Sequence, residues 1–321
     1  MTGTPHPRIV CAGITTLDFI YAVDVMPSEP LKYRSNAMVT SGGGLAGNAA
    51  TACARLGAGV RLVARLGDDF WADPMIAELE RDGVDCSLVR RCPGHRSPVS
   101  AVVVDPKGER LVVSYSDPDI PSDTGWIPTD LGADADAIYA ETRWIEAALA
   151  ILPQARAAGI PSVLDADRKP TRPEVLALAS HVGFSAPALR EFTGIHDLPA
   201  ALAQASRAQG YLALGSRALG SRAQSSGGVV NVFLVTDGAN GAWYMDGGKV
   251  VHVPAFPVKS VDTLGAGDTW HGALAVALAD RQPLDRAVRF ANAAAALKCT
   301  EFGGRKGMPT RARVEALLAA A

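Results

Sequence analysis

The sequence lacks the features that mark several large classes of protein. No apolar run approaches the roughly 18 residues that cross a bilayer, and residues 1–8 are polar and lack the hydrophobic segment of a signal peptide. The 31 Lys and Arg nearly balance the 33 Asp and Glu, so no positive field favours nucleic acid or an anionic membrane. We therefore expect a soluble, cytoplasmic protein with no nucleic-acid or membrane partner.

Motifs for metals, disulfides and P-loops are also absent. The five cysteines show no CxxC spacing and the six histidines form no HxxxH pair. These patterns predict free thiols in a reducing compartment and no structural metal. No GxxxxGK followed by Ser or Thr occurs, so any use of ATP must depend on a different phosphate-binding architecture.

What the sequence does contain is an alternation of strand-like and helical segments. Strands are predicted at residues 8–14, 60–66, 137–140, 162–165, 181–185 and 229–236, and helices at 48–56, 70–82, 145–158, 172–180 and 200–209. This rhythm predicts an α/β fold in which helices cover both faces of a parallel sheet.

Two segments do not fit that rhythm. Residues 18–40 are irregular and polar, and the β runs at 99–104 and 109–115 flank an Asp-Pro-Lys-Gly turn, which predicts a hairpin. We assign both to a small β appendage at the sheet edge. A tandem Ala-Leu-Gly-Ser-Arg at 213–222 predicts a surface loop.

The segment with the clearest chemical potential precedes a helical stretch that starts at Trp270. A Gly265-Ala266-Gly267 turn that enters a helix would point several backbone N–H groups at one place, with the helix dipole behind them. This pattern favours an anion site. Asp268 follows as an N-cap or as a base that takes a proton from an attacking hydroxyl, and the spacing alone leaves both roles open.

Two further glycine clusters allow competing interpretations. Gly42, Gly44 and Gly47 satisfy GxGxxG, which can mark a dinucleotide site. The first strand lies far upstream and the expected ribose-binding acid is missing, so a backbone left bare for a sugar is the favoured interpretation. Thr236 and Gly238 end a predicted strand, where they form either a plain turn or part of a phosphate site.

The three clusters together, in this order, resemble the ribokinase-like (PfkB) family of carbohydrate kinases over essentially the whole chain. One signature is Gly42-Gly43 with Asn48, and the other is Asp262-Thr263 with Gly265 to Asp268, about 220 residues later. The resemblance implies one three-layer α/β domain over residues 1–321, with a central mostly parallel sheet flanked by helices. It also implies a small β-sheet lid, inserted at about 14–39 and 96–117.

The resemblance implies roles for individual residues. Asp268 would be the catalytic base, and Gly265, Ala266 and Gly267 the anion hole. The nucleotide would be bound by Thr236, Gly238, Gly241, Asp262, Thr263 and Asn292, and the sugar by Asp18, Gly42, Gly43 and Asn48. ATP and Mg²⁺ are the implied cofactors, a monovalent cation is left open, and family members commonly form homodimers through the lid.

Within the family, the chain is most similar to the kinases of 6-deoxy-6-sulfofructose, for example at Lys32-Tyr33 and Arg143-Trp144. This similarity implies that Lys32 and Arg143 bind a sulfonate or phosphate at the far end of a ketose. An Asn-x-x-Glu motif that many members carry for magnesium is replaced by Ser-Ala-Pro-Ala at 185–188. Asp165 and Asp167 then become candidates to hold Mg²⁺ through water.

The leading hypothesis is thus an ATP- and Mg²⁺-dependent kinase that acts on a primary hydroxyl of a ketose with a terminal anion. A fructokinase- or ribokinase-type enzyme for a neutral sugar is the first alternative. A sugar- or nucleotide-binding regulator with weak or no transfer activity is the second, because the Asn-x-x-Glu motif is missing. An NAD oxidoreductase built on the GxGxxG glycines is a distant third.

Overall fold

Thirteen strands and eight α-helices make up the described part of the chain, residues 6–217 and 231–321 of a computed structural model. The strands are β1 (Arg8–Ala12), β2 (Thr16–Ala22), β3 (Ala37–Gly43), β4 (Gly59–Gly67), β5 (Val84–Cys92), β6 (Val99–Val104), β7 (Arg110–Tyr115), β8 (Ala137–Glu141), β9 (Ser162–Ala166), β10 (His181–Ser185), β11 (Val232–Thr236), β12 (Ala242–Asp246) and β13 (Lys249–Val253). The helices are α1 (Leu45–Arg55), α2 (Ala72–Arg81), α3 (Ile145–Ala158), α4 (Ala186–Thr193), α5 (Leu198–Arg217), α6 (Ala266–Ala279), α7 (Leu284–Lys298) and α8 (Arg311–Ala320).

The main sheet has the strand order β13-β12-β11-β10-β9-β8-β1-β4-β5. The strands from β11 to β5 in this order pair in parallel, and β12 and β13 are antiparallel. Every residue of β8 and β9 is buried, as expected for strands that are covered on both faces. The predicted mostly parallel α/β sheet is confirmed.

Strand β1 shows how helices cover both faces of this sheet. Ile9 and Cys11 pack in a core with buried residues of α1, α6 and α7. Val10 and Ala12 point to the opposite face and pack in a second core with buried residues of α3. The alternation gives three layers, with the sheet in the middle. None of the helices in the described residues is both long and apolar enough to cross a bilayer.

A second, four-stranded sheet has the order β3-β2-β6-β7. The predicted β6–β7 hairpin is confirmed, but the segment 18–40 is not irregular throughout, since it contains most of β2 and the start of β3. Strand β2 starts four residues after β1 ends, and β6 follows β5. The small sheet therefore projects from the carboxyl edge of the main sheet, where open α/β sheets bind their ligands.

Several boundaries differ from the sequence prediction. The helix predicted at 172–180 is instead a single 3₁₀ segment, Pro173–Ala177. Pro173 suits the first position of a helical turn, but the residues that follow do not continue as an α-helix. Helix α5 extends past 209 and includes the first Ala-Leu-Gly-Ser-Arg copy, which was predicted as loop. The second copy lies outside the described residues. Strands β5, β12 and β13 and helices α4, α7 and α8 were not predicted.

Candidate active site

The N-terminus of α6 forms the centre of the candidate site. Gly265 adopts a left-handed conformation (φ 78°) before the helix begins, and its carbonyl accepts hydrogen bonds from the Thr269 N–H and hydroxyl, at 2.9 and 2.8 Å. The Ala266 N–H donates to the Thr263 carbonyl at 3.2 Å. The N–H groups of Gly267 and Asp268 follow in the first turn, where a helix offers no acceptor of its own. This turn can bind an anion.

The Asp268 carboxylate lies in this first turn. Its Oδ2 accepts a hydrogen bond of 2.7 Å from Asn48 Nδ2, which joins the two predicted signatures across 220 residues of sequence. Burial raises the pKa of Asp268 to about 6, and the bond from Asn48 opposes that rise. A carboxylate with a pKa just below neutrality is ionised at pH 7 and still basic enough to accept a proton.

The glycines at 42–47 make room for protein side chains. A Cβ atom on Gly42 or Gly47 would overlap the Arg305 guanidinium, and one on Gly43 would overlap the Asp18 carboxylate. In this structure Arg305 and Asp18 occupy the space beside these glycines, and the role of Gly42 and Gly43 at a sugar stays a prediction. Strand β3, which leads into these glycines, pairs antiparallel with β2 in the small sheet. A dinucleotide site requires a strand of a parallel sheet before the glycine turn and the helix, so residues 42–47 lack that setting.

Asp18 is a buried carboxylate on β2, close to this cluster. It accepts a hydrogen bond of 2.9 Å from Thr16 Oγ1, and burial raises its pKa. Its negative charge contributes to the raised pKa of Asp268. The role of Asp18 as a sugar ligand stays a prediction.

Asp262 is fully buried and holds the loop that leads into α6. Its carboxylate accepts hydrogen bonds from the N–H groups of Leu264 (2.8 Å), Gly303 (3.0 Å) and Gly304 (3.2 Å). The buried Lys298 ammonium lies 3.3 Å from Asp262 Oδ2 and donates to the Asp262 carbonyl at 2.8 Å. The Asp262 oxygens are thus engaged within the protein and its charge is balanced by a lysine, and its role at the nucleotide stays a prediction.

Thr263 connects this loop to the small sheet. Arg110 Nη1 donates to Thr263 Oγ1 at 2.6 Å, and Thr263 Oγ1 donates to the Gly108 carbonyl at 3.3 Å. The Arg110 charge also lowers the pKa of Asp268. The hydroxyl of Thr263 thus joins the loop before α6 to the β6–β7 hairpin, and its role at the nucleotide stays a prediction.

The turn between β11 and β12 follows the carboxyl end of a parallel strand. Thr236 ends β11, and Gly238 (φ 52°) has open space around the position of a Cβ atom. Gly241 (φ 89°) is needed for another reason, since a Cβ there would overlap the Val253 carbonyl. The close approach of the backbone at Val253 accounts for a glycine at 241, and the roles of Thr236, Gly238 and Gly241 at a nucleotide stay predictions.

The side-chain amide of Asn292, on α7, forms hydrogen bonds within the protein. It is buried, its Oδ1 accepts from Trp270 Nε1 at 2.7 Å, and its Nδ2 donates to the carbonyls of Val253 (3.0 Å) and Pro254 (3.1 Å). Both N–H groups of the amide are thus engaged, and its oxygen accepts one hydrogen bond within the protein. The role of Asn292 as a nucleotide ligand stays a prediction.

The two carboxylates predicted to hold Mg²⁺ have different surroundings. Asp165 is 2% exposed, and its Oδ2 accepts from Tyr139 Oη at 3.1 Å and lies 3.2 Å from His271 Nδ1. Its Oδ2 is thus engaged within the protein, and its role in holding Mg²⁺ through water stays a prediction. Asp167 is partly exposed and pairs with Arg143, whose Nε lies at 2.9 Å. Within residues 6–217 and 231–321, no cluster of three or more metal-ligating side chains occurs.

The two cations predicted to bind a terminal anion lie in connections that belong to different sheets. Arg143 follows β8 and is engaged by Asp167. Lys32 lies in the connection between β2 and β3, is exposed, and makes no hydrogen bond or ion pair with another described residue. The structure therefore gives no contact that brings Lys32 and Arg143 together.

Three further residues near the site were not predicted as functional. Glu141 is fully buried and accepts hydrogen bonds from the N–H groups of Ile14 (2.9 Å), Arg143 and Trp144 (3.2 Å), and burial raises its pKa to about 7. Arg305 contacts Asn48, and Arg110 contacts Thr263. Each of the three forms a hydrogen bond to a residue more than 120 positions away in the sequence, so no local spacing could reveal it.

Comparison with known proteins gives the family. The family model described as "pfkB family carbohydrate kinase" matches residues 6–311. This chain belongs to the pfkB family of carbohydrate kinases. A ribokinase of Bacillus subtilis (strain 168) is 29% identical over 97% of this chain and 99% of that protein. Fructokinase-1 of Oryza sativa subsp. japonica is 28% identical over 98% of each.

A solved structure agrees with these relatives. A protein of Agrobacterium tumefaciens, provisionally described as a ribokinase, superposes with a TM-score of 0.85 at 33% identity, over 98% of each chain. The pfkB chain is thus an ATP-dependent sugar kinase with a ribokinase-like fold. This family membership favours the enzyme over the regulator and the NAD oxidoreductase.

Proposed function

We propose that this pfkB kinase transfers the γ-phosphoryl group of ATP to a primary hydroxyl of a neutral ribose- or fructose-type sugar. The observation that supports this most strongly is the placement of Asp268 in the first turn of α6, with Asn48 at 2.7 Å. A base and an anion-binding helix terminus then lie side by side, as transfer from a nucleotide to an alcohol requires.

The proposed reaction uses two groups of this chain. Asp268 accepts the proton of the sugar hydroxyl as that oxygen forms a bond to the γ-phosphorus, and the bond between this phosphorus and the β-γ bridging oxygen breaks to release ADP. The N–H groups of Gly267 and Asp268 donate to the oxygens that gain negative charge. Asp18, buried beside Gly43, would bind sugar hydroxyls.

Mg²⁺ fits this site only in part. In phosphoryl transfer, Mg²⁺ is usually held by one or two carboxylates together with substrate phosphates, and it neutralises the charge of those phosphates. Asp167 is the more exposed carboxylate of the predicted pair, and it would hold the hydrated ion beside its partner Arg143. A requirement for a monovalent cation also stays a prediction, and the Asp262 carboxylate is already paired with Lys298.

A ketose with a terminal anion is the second candidate substrate. The exposed Lys32 favours it, since a lysine beside the small sheet could reach a sulfonate or phosphate. The ion pair between Arg143 and Asp167 argues against it, because the Asp167 carboxylate already balances the positive charge of Arg143. For this reason we place the neutral sugar first.

We also propose that two copies of the chain associate through the small sheet, which would then be a lid shared by a homodimer. Strand β7 is an edge strand, and its apolar side chains are exposed, with Leu111 at 39%, Val113 at 64% and Tyr115 at 44%. A groove of about 310 Å³ next to it is lined by residues that include Phe70 and Trp71. A second copy would cover both the unpaired strand edge and this apolar surface.

The substrate proposal is tested by measuring ADP release with a panel of ribose, fructose, fructose 6-phosphate and 6-deoxy-6-sulfofructose. We expect the highest kcat/KM for a neutral sugar. A preference of tenfold or more for either anionic ketose, lost in Lys32→Ala, would reverse the order of the two candidates. ATP binding without ADP release on every sugar would favour the regulator.

A further inference from the structure

A buried arginine stands behind the Asn48–Asp268 pair. Arg305 lies in the 3₁₀ turn Gly304–Gly307 that follows α7, and it is 1% exposed. Its Nε donates to Asn48 Oδ1 at 3.0 Å, and its Nη2 donates to the Gly43 carbonyl at 2.8 Å. The side chain fills the space left by Gly42 and Gly47. Arg305, Asn48 and Asp268 thus form a continuous chain of hydrogen bonds.

The chemistry of a guanidinium fixes the direction of this chain. Arginine can only donate, so the Asn48 atom that faces Arg305 must be the amide oxygen. The amide nitrogen must then face Asp268, at 2.7 Å, as a donor to the carboxylate. Without Arg305, the Asn48 amide could rotate by half a turn and present its oxygen to Asp268, and two acceptors would then face each other.

The placement of Arg305 is unfavourable for stability alone. The nearest carboxylate oxygen is Glu78 Oε1, 3.9 Å from Nη1, and Nη1 has no hydrogen-bond partner in the described part of the chain. Burial lowers the pKa of Arg305. A guanidinium that is buried with one unsatisfied nitrogen is costly, so a role beyond packing would account for it.

We propose that Arg305 is a positioning residue for phosphoryl transfer, which locks the Asn48 amide so that it donates to one oxygen of Asp268 and leaves the other for the sugar hydroxyl. The proposal rests on the proposed role of Asp268 as the base. Arg305 does not itself touch the reacting atoms.

The first test compares Arg305 with Arg55, an arginine at the end of α1 that holds the same turn. Arg55 Nη1 donates to the Arg305 carbonyl at 2.6 Å, so Arg55 anchors the loop without touching Asn48. We expect Arg305→Met to lower kcat about 10- to 100-fold, as for a catalytic group displaced by about 1 Å, with little change in KM for ATP. Arg55→Met should lower thermal stability and leave kcat within about threefold of the wild type.

The acid limb of the kcat/KM profile gives a second readout. Asp268 must be ionised to act, and the hydrogen bond from Asn48 lowers its pKa, so Arg305→Met should move the acid limb to higher pH and Arg305→Lys, also a pure donor, should move it less. The other titratable groups that face Asp268 are the same in each variant; they are Asp18, Arg110, Tyr139, Asp165 and Asp167. Arg305→Gln, which offers both a donor and an acceptor, replaces Arg305→Met if that variant does not fold.

A double-mutant cycle separates the amide from the direct effect of the arginine charge. In an Asn48→Ala background, Arg305→Met should shift the acid limb much less than it does alone. Equal shifts in both backgrounds, an equal shift in Arg55→Met, or a folded Arg305→Met with wild-type kcat would each overturn the proposal.

The positioning role can also be read without turnover. The carboxyl carbon of Asp268 titrates in NMR spectra, with Asp268→Asn identifying the signal, and its pKa should rise in Arg305→Met. If the wild type phosphorylates no sugar of the panel, the proposed function fails, and this titration still decides the role of Arg305. If the wild type is active but the titration is unchanged, only the role of Arg305 fails.

Discussion

At the scale of single residues, the loop before α6 depends on a buried ion pair. Lys298 and Asp262 are both shielded from solvent, and Asp262 also accepts three backbone N–H groups. Burial lowers the pKa of Lys298, while Asp262 opposes that effect. The pair fixes the backbone from which Gly265 and the first turn of α6 emerge, so a structural pair supports the geometry of the candidate site.

Removal of the lysine charge should therefore be costly. We expect Lys298→Met to lower the free energy of unfolding by about 3–5 kcal/mol, because the Asp262 carboxylate would stay buried without its partner. Lys306→Met, at an exposed lysine of the 3₁₀ turn that follows α7, is the matched control and should change the free energy of unfolding by less than about 0.5 kcal/mol. Urea unfolding measures both, and equal effects of the two substitutions would contradict the account.

At the scale of elements, the β6–β7 hairpin and the α6 loop are joined by side chains. Arg110 and Gly108 both contact Thr263, whose carbonyl accepts the first N–H group of α6. A movement of the small sheet would thus displace Thr263 and, through it, the anion-binding turn. The hairpin brings a positive charge close to Asp268, which the turn alone does not provide.

This contact has a measurable effect on the base. Since the Arg110 charge lowers the pKa of Asp268, Arg110→Ala should raise that pKa, and the acid limb of kcat/KM should move to higher pH. The loss of activity should be larger at pH 6 than at pH 8. Lys107→Ala, in the same hairpin turn, should leave the profile unchanged. A profile in Arg110→Ala that matches the wild type would exclude a charge effect.

At the scale of the whole molecule, β7 is an edge strand of the small sheet and has no second partner strand in the described residues. Val113→Lys places a charge on the most exposed apolar residue of β7, and we expect it to shift a homodimer toward monomer. Light scattering coupled to gel filtration gives the mass, and Ala316→Lys, at an exposed residue of α8 outside the small sheet, is the control. A wild-type protein that is monomeric at high concentration would contradict the proposed dimer.

The sequence predicted this architecture better than the details of the site. The apolar β-branched runs of β1 and β4 and the helical spacing of α3 are local signals, and they were located within about two residues. The antiparallel β12 and β13 were missed because short amphipathic strands next to turn glycines carry little periodic signal. The β6–β7 hairpin was predicted from the residues of its turn.

The site residues divide in the same way. Gly265, Gly267 and Asp268 form a contiguous motif at a helix start, so their proximity followed from the sequence. Asp262, Thr263, Asn292 and Asp165 were predicted from the motif or the resemblance as ligands, but tertiary partners engage their polar atoms. Arg305 and Arg110 were missed because only the folded chain brings them to Asn48 and Thr263.

The central claim is that Asp268 is the base of phosphoryl transfer, and one substitution tests it most directly. Asp268→Asn keeps the shape of the side chain but removes its basicity, so we expect kcat to fall about 10²- to 10⁴-fold with ATP affinity nearly unchanged. Asp280→Asn, at the other end of α6, should keep wild-type turnover. ADP release measures kcat and calorimetry measures ATP binding, and a folded Asp268→Asn protein with turnover within about threefold of the wild type would contradict the account.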